Sequence, residues 1–129
     1  MILLTFTVWL SLYRRRIAEI RSLRINPQKI STSHEAASVL KDVSAADNFR
    51  NLFEMPVLFY VLCVSLYSTG MVSSLQLAIA WLYFLLRALH SLIHITYNKV
   101  MHRFIVYLLS CLCLWMMWGI FAANIIFSN

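Results

Sequence analysis

Residues that bend or break helices are scarce in this sequence, and acidic side chains are scarce as well. Its 129 residues include two Gly, two Pro and five Asp or Glu, whereas 61% are hydrophobic and stand in long uncharged runs. This composition departs from that of soluble globular domains in the direction of membrane proteins. It argues against a soluble fold, and the length predicts a single domain over residues 1–129.

Cysteine is also sparse, and its positions exclude a secreted disulfide framework. Cys63, Cys111 and Cys113 all lie inside apolar segments, where cysteine commonly packs as a small hydrophobic residue. No C-x-x-C pair is present, and no histidine stands near a cysteine at the spacing of metal ligands. A metal or redox role for the cysteines is therefore not expected.

Positively charged side chains outnumber negatively charged ones, and the formal net charge is +6. Eight of the eleven Lys and Arg residues fall between Arg14 and Arg50, next to apolar runs. In that position anionic lipid headgroups are nearer partners than nucleic acid. We therefore expect the lipid bilayer, and no nucleic acid, as the partner of these charges.

The apolar runs predict an all-α integral membrane protein, a four-helix transmembrane bundle. Helices are expected over about 1–23, 46–67, 73–97 and 103–127, with a loop over about 24–45. The last three helices are close to the ~20 residues that cross a bilayer. The first is apolar only as far as Tyr13, about 20 Å of helix against roughly 30 Å of hydrocarbon, so it is short or truncated.

The distribution of basic residues gives an independent prediction of the topology. Basic residues mark cytoplasmic loops. They crowd into the first predicted loop and recur at Lys99, whereas none lies between Tyr67 and Ser74. Four spans would place the first and third loops on the same side, so we expect basic cytoplasmic loops and both termini on the opposite side.

Two of the predicted helices carry polar side chains that a bilayer disfavours. The stripe on the second helix is spaced i, i+3, i+4 and i+7 and consists of Asp47, Arg50, Asn51 and Glu54. The stripe on the third helix is spaced i, i+3, i+7 and i+10 and consists of Arg87, His90, His94 and Tyr97. Each stripe occupies one helix face. A lone Arg at the bilayer centre costs about 2.5–3.5 kcal/mol, so such residues usually face a protein interior or a cavity. The predicted pocket is lined by Asn51, Glu54, Arg87, His90, His94 and Arg103.

Three interpretations of this pocket are open from the residues alone. Its groups could neutralise one another as a buried structural network. The excess of Arg over carboxylate favours instead an anionic ligand that bears a carboxylate or a thiolate. Metal binding by His90 and His94, with Glu54 or His102 as a further ligand, is disfavoured because the nearby arginines repel a divalent cation.

The same residues form a recognisable pattern. Arg50-Asn51-Leu52-Phe53-Glu54 is followed by Pro56, and Arg87-x-x-His90 is followed by His94 and by Arg103, sixteen residues after Arg87. Over about residues 46–127 this pattern resembles the MAPEG superfamily, the membrane-associated proteins in eicosanoid and glutathione metabolism. It is nearest the microsomal prostaglandin E synthase branch. The sequence departs from the family pattern at His94, where Tyr is usual, and at Phe104, where that branch has Ser.

The resemblance implies a four-helix bundle that assembles as a homotrimer, with glutathione as co-substrate near the cytoplasmic face. It implies that Arg103 is the catalytic residue, because a guanidinium in a partly dry pocket lowers the pKa of a thiol and so stabilises the thiolate. The residues implied to bind glutathione are Arg50, Asn51, Glu54, Arg87, His90 and His94.

Two functions are compatible with this resemblance. The first is a glutathione-dependent membrane transferase or peroxidase whose lipophilic electrophile arrives from the bilayer. The aromatic walls expected beside it include Phe53, Phe59, Tyr83 and Trp115. The alternative is a non-catalytic lipid- or partner-binding membrane protein of the same fold. A channel is disfavoured, because the fourth helix after Arg103 is almost wholly apolar as far as Asn124.

Overall fold

The computed structural model describes residues 1–40 and 44–127, and within these ranges all regular elements are helices. The chain divides into two compact units, residues 1–50 and residues 51–129. Residues 41–43, which belong to the predicted loop, lie outside the described residues. The prediction of a single domain over the whole chain stays a prediction.

The first unit begins with a long helix, α1 (Ile2–Leu23). It ends where Arg24 adopts the left-handed conformation, with φ 50°. Within the stretch predicted as a loop, a short 3-10 helix (Pro27–Ile30) and α2 (Ser33–Val39) follow. The polar stretch is therefore not a plain loop, because local side-chain hydrogen bonds are enough to start short helices in it.

A capping box explains where α2 begins. The Glu35 amide donates to Thr32 Oγ1 at 3.2 Å, and the Thr32 amide donates to Glu35 Oε2 at 3.0 Å. The Ser31 hydroxyl donates to the same carboxylate oxygen at 2.7 Å. The bond from Ser31, and after it the bonds from Thr32, lower the pKa of Glu35 below its ordinary value of 4.5.

The helix predicted over 46–67 is interrupted in the structure. α3 (Ser44–Asn51) and α4 (Met55–Thr69) are separated by the non-helical residues 52–54. Pro56 supplies the physical reason, because in a continuous helix its nitrogen would donate to the carbonyl of Leu52 and proline has no N–H. Glu54 lies in this break, with φ −91° and ψ −98°.

Two more long helices complete the second unit, α5 (Ser74–Ile95) and α6 (Val100–Phe127). α4 ends at Gly70, whose φ of 67° suits a residue without a side chain. Asn98 takes the left-handed conformation in the connection between α5 and α6, with φ 47°. Both connections are short, so helices that follow one another in sequence run antiparallel.

α5 packs along α6 in a regular antiparallel register. Each contact moves back along α5 as it moves forward along α6: His90 meets Arg103, Arg87 meets Tyr107, and Tyr83 interacts electrostatically with Cys111. α4 joins this pair through the stacked rings of Phe59 and Tyr83, whose centroids are 4.5 Å apart. The apolar core of the unit therefore lies among three helices, and its fully buried members include Leu62, Leu114 and Met117.

Three segments of the described chain are long and apolar enough to cross a membrane, Ser44–Thr69, Ser74–Ile95 and Val100–Phe127. As a helix, the 22 residues of α5 extend about 33 Å, which matches the hydrocarbon thickness. Large apolar side chains on the outer faces are exposed, among them Leu85, Leu92 and Trp115. Such a surface suits contact with lipid or with other helices and not with water.

Candidate functional site

The polar stripe of α5 is buried in the second unit. The exposed fractions of Arg87, His90 and His94 are 0%, 3% and 1%. Their spacing places all three on the face that also carries Tyr83, and this face packs against α6. Burial of one permanent cation and two imidazoles in an apolar bundle is costly unless other groups meet their hydrogen bonds and charge.

Arg87 lies between two tyrosines, and only part of its hydrogen-bonding capacity is used. Its Nε donates to the hydroxyl of Tyr83 at 3.3 Å. The guanidinium carbon lies 4.7 Å from the ring centroid of Tyr107 and 5.6 Å from that of Tyr83, within the range of cation–π attraction. Both terminal nitrogens, Nη1 and Nη2, are buried and have no hydrogen-bond partner among the described residues. The protein thus buries a cation and leaves hydrogen-bond donors on both of its outer nitrogens unused within the described residues.

His90 is oriented by the backbone of the next helix. Its Nδ1 lies 3.1 Å from the carbonyl oxygen of Arg103. Because a carbonyl only accepts, Nδ1 carries the proton of this bond, and Nε2 holds the lone pair when the ring is neutral. Nε2 is buried and has no hydrogen-bond partner among the residues that the structure describes. The ring centroids of Tyr107 and His94 are 5.6 and 5.7 Å away.

Arg103 contributes a half-buried guanidinium at the edge of this cluster. Its Nη1 donates to Asn98 Oδ1 at 2.7 Å, and this contact is exposed. The backbone of Arg103 bonds His90, while its side chain turns to the connection between the helices. The guanidinium is therefore held by a neutral amide that an anion could replace.

Glu54 lies at a similar depth to the α5 cluster. Starting from the stacked pair Phe59 and Tyr83, Glu54 is five residues back along α4 and Arg87 is four residues forward along α5. At about 1.5 Å per residue in antiparallel helices, both positions lie roughly 6–8 Å toward the same end. Glu54 is exposed and interacts electrostatically with Tyr107. Glu54 is therefore exposed at about the depth of the buried cluster, and its part in the site stays a prediction.

Asn51 and Arg50 precede the break between α3 and α4. Asn51 is half-buried and is the first residue of the second unit, whereas Arg50 is exposed and belongs to the first unit. Their part in the site stays a prediction. Of the aromatic walls expected from the sequence, Phe59 and Tyr83 are buried, while Phe53 and Trp115 are exposed.

Tyr107 is the member of the cluster that the sequence reasoning missed. It contacts Arg87 and His90 and forms a side-chain hydrogen bond with Cys111. The available signal was its position four residues after Arg103, one helical turn along the same face. No three His, Cys, Asp or Glu side chains within 1–40 and 44–127 are placed to share a metal ion.

The three apolar spans and the buried cationic cluster define an integral membrane protein with a polar cluster among its helices. The MAPEG family model matches residues 1–123, and the chain belongs to this family. Members of the family generally use glutathione. No curated protein and no solved structure gave a significant match. The predicted superfamily is therefore confirmed, and the nearer relation to the microsomal prostaglandin E synthase branch stays a prediction.

Proposed function

We propose that the protein is a glutathione-dependent membrane transferase or peroxidase that acts on lipophilic electrophiles. The observation that carries this proposal is Arg87, a fully buried cation with two terminal nitrogens that have no hydrogen-bond partner among the described residues. An anion that accepts both N–H groups would remove much of the cost of burying the charge. Family membership supports glutathione as that anion.

In this proposal the tripeptide occupies the polar end of the helix bundle. Arg87 and Arg103 supply positive charge, and Glu54 supplies a carboxylate for the ammonium group of glutathione. The remaining proposed contacts are with Arg50, Asn51, His90 and His94. Two arginines against one carboxylate leave net positive charge for a carboxylate and a thiolate, which favours glutathione over a neutral lipid.

We assign stabilisation of the thiolate to Arg103. Its guanidinium is bonded to the neutral oxygen of Asn98 at a partly exposed position. Exchange of this bond for one to an anionic sulfur gains a charge-assisted interaction. The thiolate then attacks an electrophilic carbon to form a thioether, and the bond from that carbon to a halide leaving group or to an epoxide oxygen breaks with its electron pair going to the halide or the oxygen. With a hydroperoxide, it attacks oxygen, and a second glutathione completes the disulfide as the peroxide is reduced to alcohol and water.

The proposed assembly is a homotrimer of four-helix subunits in which the basic loops and the glutathione site face the cytoplasm. The exposed apolar faces of α4, α5 and α6 support association with lipid and with other subunits. The concentration of basic residues before Arg50 supports the cytoplasmic placement of the first loop.

A thermal-unfolding series with glutathione and S-alkylglutathiones tests the proposal. A specific ligand at 100 times its dissociation constant should stabilise the purified protein by about 2.7 kcal/mol. Arg103→Ala should retain binding of S-alkyl conjugates and lose conjugation of a lipophilic aryl halide. Absence of any stabilisation by glutathione would refute the function, and unchanged conjugation by Arg103→Ala would refute the role of this residue.

The second candidate is a non-catalytic lipid- or partner-binding protein that keeps the polar cluster to fix helix register. The contact of Arg87 with the ring of Tyr107 and the bond of His90 with the Arg103 carbonyl favour it, since they join α5 to α6 without any ligand. It predicts that Glu54→Gln and Arg87→Ala destabilise the assembly while no thiol compound protects it from heat.

A further inference from the structure

His90 combines the two properties of an oriented base. One ring nitrogen is fixed by an acceptor that has no proton of its own, the carbonyl of Arg103, at 3.1 Å. The other nitrogen is buried and has no hydrogen-bond partner among the described residues. The neutral ring therefore presents a lone pair at Nε2, in the tautomer that is able to accept a proton.

The groups around His90 determine which hydrogen-bonding groups and which charge a ligand needs. Arg87, one turn earlier on α5, offers donors only, because a guanidinium does not give up its proton in proteins. Tyr107 on α6 faces the ring, and its hydroxyl is bonded to Cys111. The other charged or titratable neighbours are His94 on α5, Arg103 on α6 and, through Tyr107, Glu54. A ligand group that bonds Nε2 has to donate a proton, and if it then carries negative charge, the nearby cations Arg87 and Arg103 stabilise it.

A thiol meets this requirement, and so, resting on the proposed function, we propose that His90 is the base that accepts the thiol proton of glutathione. The S–H bond breaks with its electron pair remaining on sulfur, and a new N–H bond forms at Nε2. The products are a thiolate and an imidazolium, so no charge leaves the pocket and no oxidant or reductant is needed. The imidazolium can return the proton to an alkoxide when an epoxide ring opens.

The number of protons that the unmodified protein releases for each glutathione bound, here called the proton count, tests the role of His90 directly. Bound thiolate is measured by its ultraviolet absorption, and proton release is measured by titration calorimetry at pH 7 in buffers of different ionisation enthalpy. S-methylglutathione, which has no thiol proton, supplies the baseline. We expect thiolate to form with close to no proton released per glutathione bound. Release of one proton per thiolate would overturn the proposal, because the proton would then have gone to solvent.

The variant His90→Gln gives a second measurement. Glutamine can still donate to the Arg103 carbonyl but takes up no proton, so glutathione and S-methylglutathione should still bind. Thiolate at pH 7 should be lost and conjugation should fall by a factor on the order of 10², and both should recover as the pH rises. His102→Gln is the matched control, because His102 is exposed and bonded to Tyr97.

The outcomes separate the two proposals. If the unmodified protein binds no glutathione, the proposed function fails and the role of His90 fails with it. If glutathione binds with full proton release, or if His90→Gln keeps the thiolate and the proton count of the unmodified protein, the role of His90 alone fails. A variant that does not fold leaves the proton count on the unmodified protein to decide.

Discussion

Replacement of Arg87 by methionine together with Tyr83 by phenylalanine should leave the ligand-free protein at least as stable as the wild type. Arg87 is fully buried, and its two terminal nitrogens have no hydrogen-bond partner among the described residues. The Tyr83 hydroxyl accepts a hydrogen bond from Arg87 Nε and would lose it in the single variant of Arg87. Phenylalanine at position 83 removes this hydroxyl as well. Apolar replacement of both partners of a buried polar pair is often neutral or stabilising.

The size of the effect follows from the contacts of Arg87. Each buried donor without a partner costs about 1–3 kcal/mol, so removal of two relieves about 2–6 kcal/mol. The double variant loses about 1–2 kcal/mol of cation–π attraction to the two tyrosine rings and about 1 kcal/mol for the bond to Tyr83. The balance centres on a gain of about 1–2 kcal/mol in the free energy of unfolding.

Thermal unfolding in detergent, with and without glutathione, measures both halves of this prediction. The wild type should gain about 2.7 kcal/mol at 100 times the dissociation constant, and the double variant should gain nothing. Arg21→Met is a matched control, because Arg21 is an exposed arginine near the end of α1. A loss of more than about 2 kcal/mol in the ligand-free double variant would refute the reasoning. Arg87 would then be a satisfied structural residue, and the non-catalytic function would be favoured.

Three further predictions concern residues at the starts of α2 and α4. Pro56→Ala should let α3 and α4 join, which displaces Glu54 and weakens glutathione binding. Circular dichroism should show increased helix content, and unchanged helicity and affinity would contradict the prediction. Glu54→Gln should weaken glutathione binding by about 10- to 100-fold in calorimetry, since hydrogen bonds to charged groups contribute about 1.5–3 kcal/mol, and equal affinity would exclude the contact. The pKa of Glu35 is lowered in the folded state, so its contribution to α2 is present above pH 4.5 and is lost as the pH falls through the lowered pKa. The protection of the α2 amides against hydrogen exchange, taken relative to the intrinsic exchange rate at each pH, should therefore fall in acid, and Glu35→Gln should remove that pH dependence.

Helical periodicity was enough to predict which residues of α5 share a buried face. Arg87, His90 and His94 are polar residues among apolar neighbours, so they stand out in the sequence. Their spacing places them on the same face of any α-helix. The partners on α6 could not be predicted in the same way. The acceptor for His90 is a backbone carbonyl, which no residue type reveals, and the bond from Arg103 to Asn98 depends on the conformation of a short connection.

The interruption of the second predicted helix was within reach of the sequence. Hydropathy predicts one helix over residues 46–67, because it takes no account of the N–H that proline lacks. Pro56 removes the hydrogen bond to Leu52, and that local rule prevails over the apolar pattern. Capping chemistry also accounts for α2, since Thr32 and Glu35 have the spacing of a capping box.

The hydrogen bond between His90 and the carbonyl of Arg103 has a consequence for protein engineering. Every amino acid at position 103 brings the same carbonyl, so substitution there changes the cation and leaves the acceptor for His90 in place. The charge at the pocket edge and the tautomer of the imidazole are thus encoded separately, although a single residue supplies both. A saturation library at position 103 would vary the charge beside the cluster and leave the tautomer of His90 unchanged.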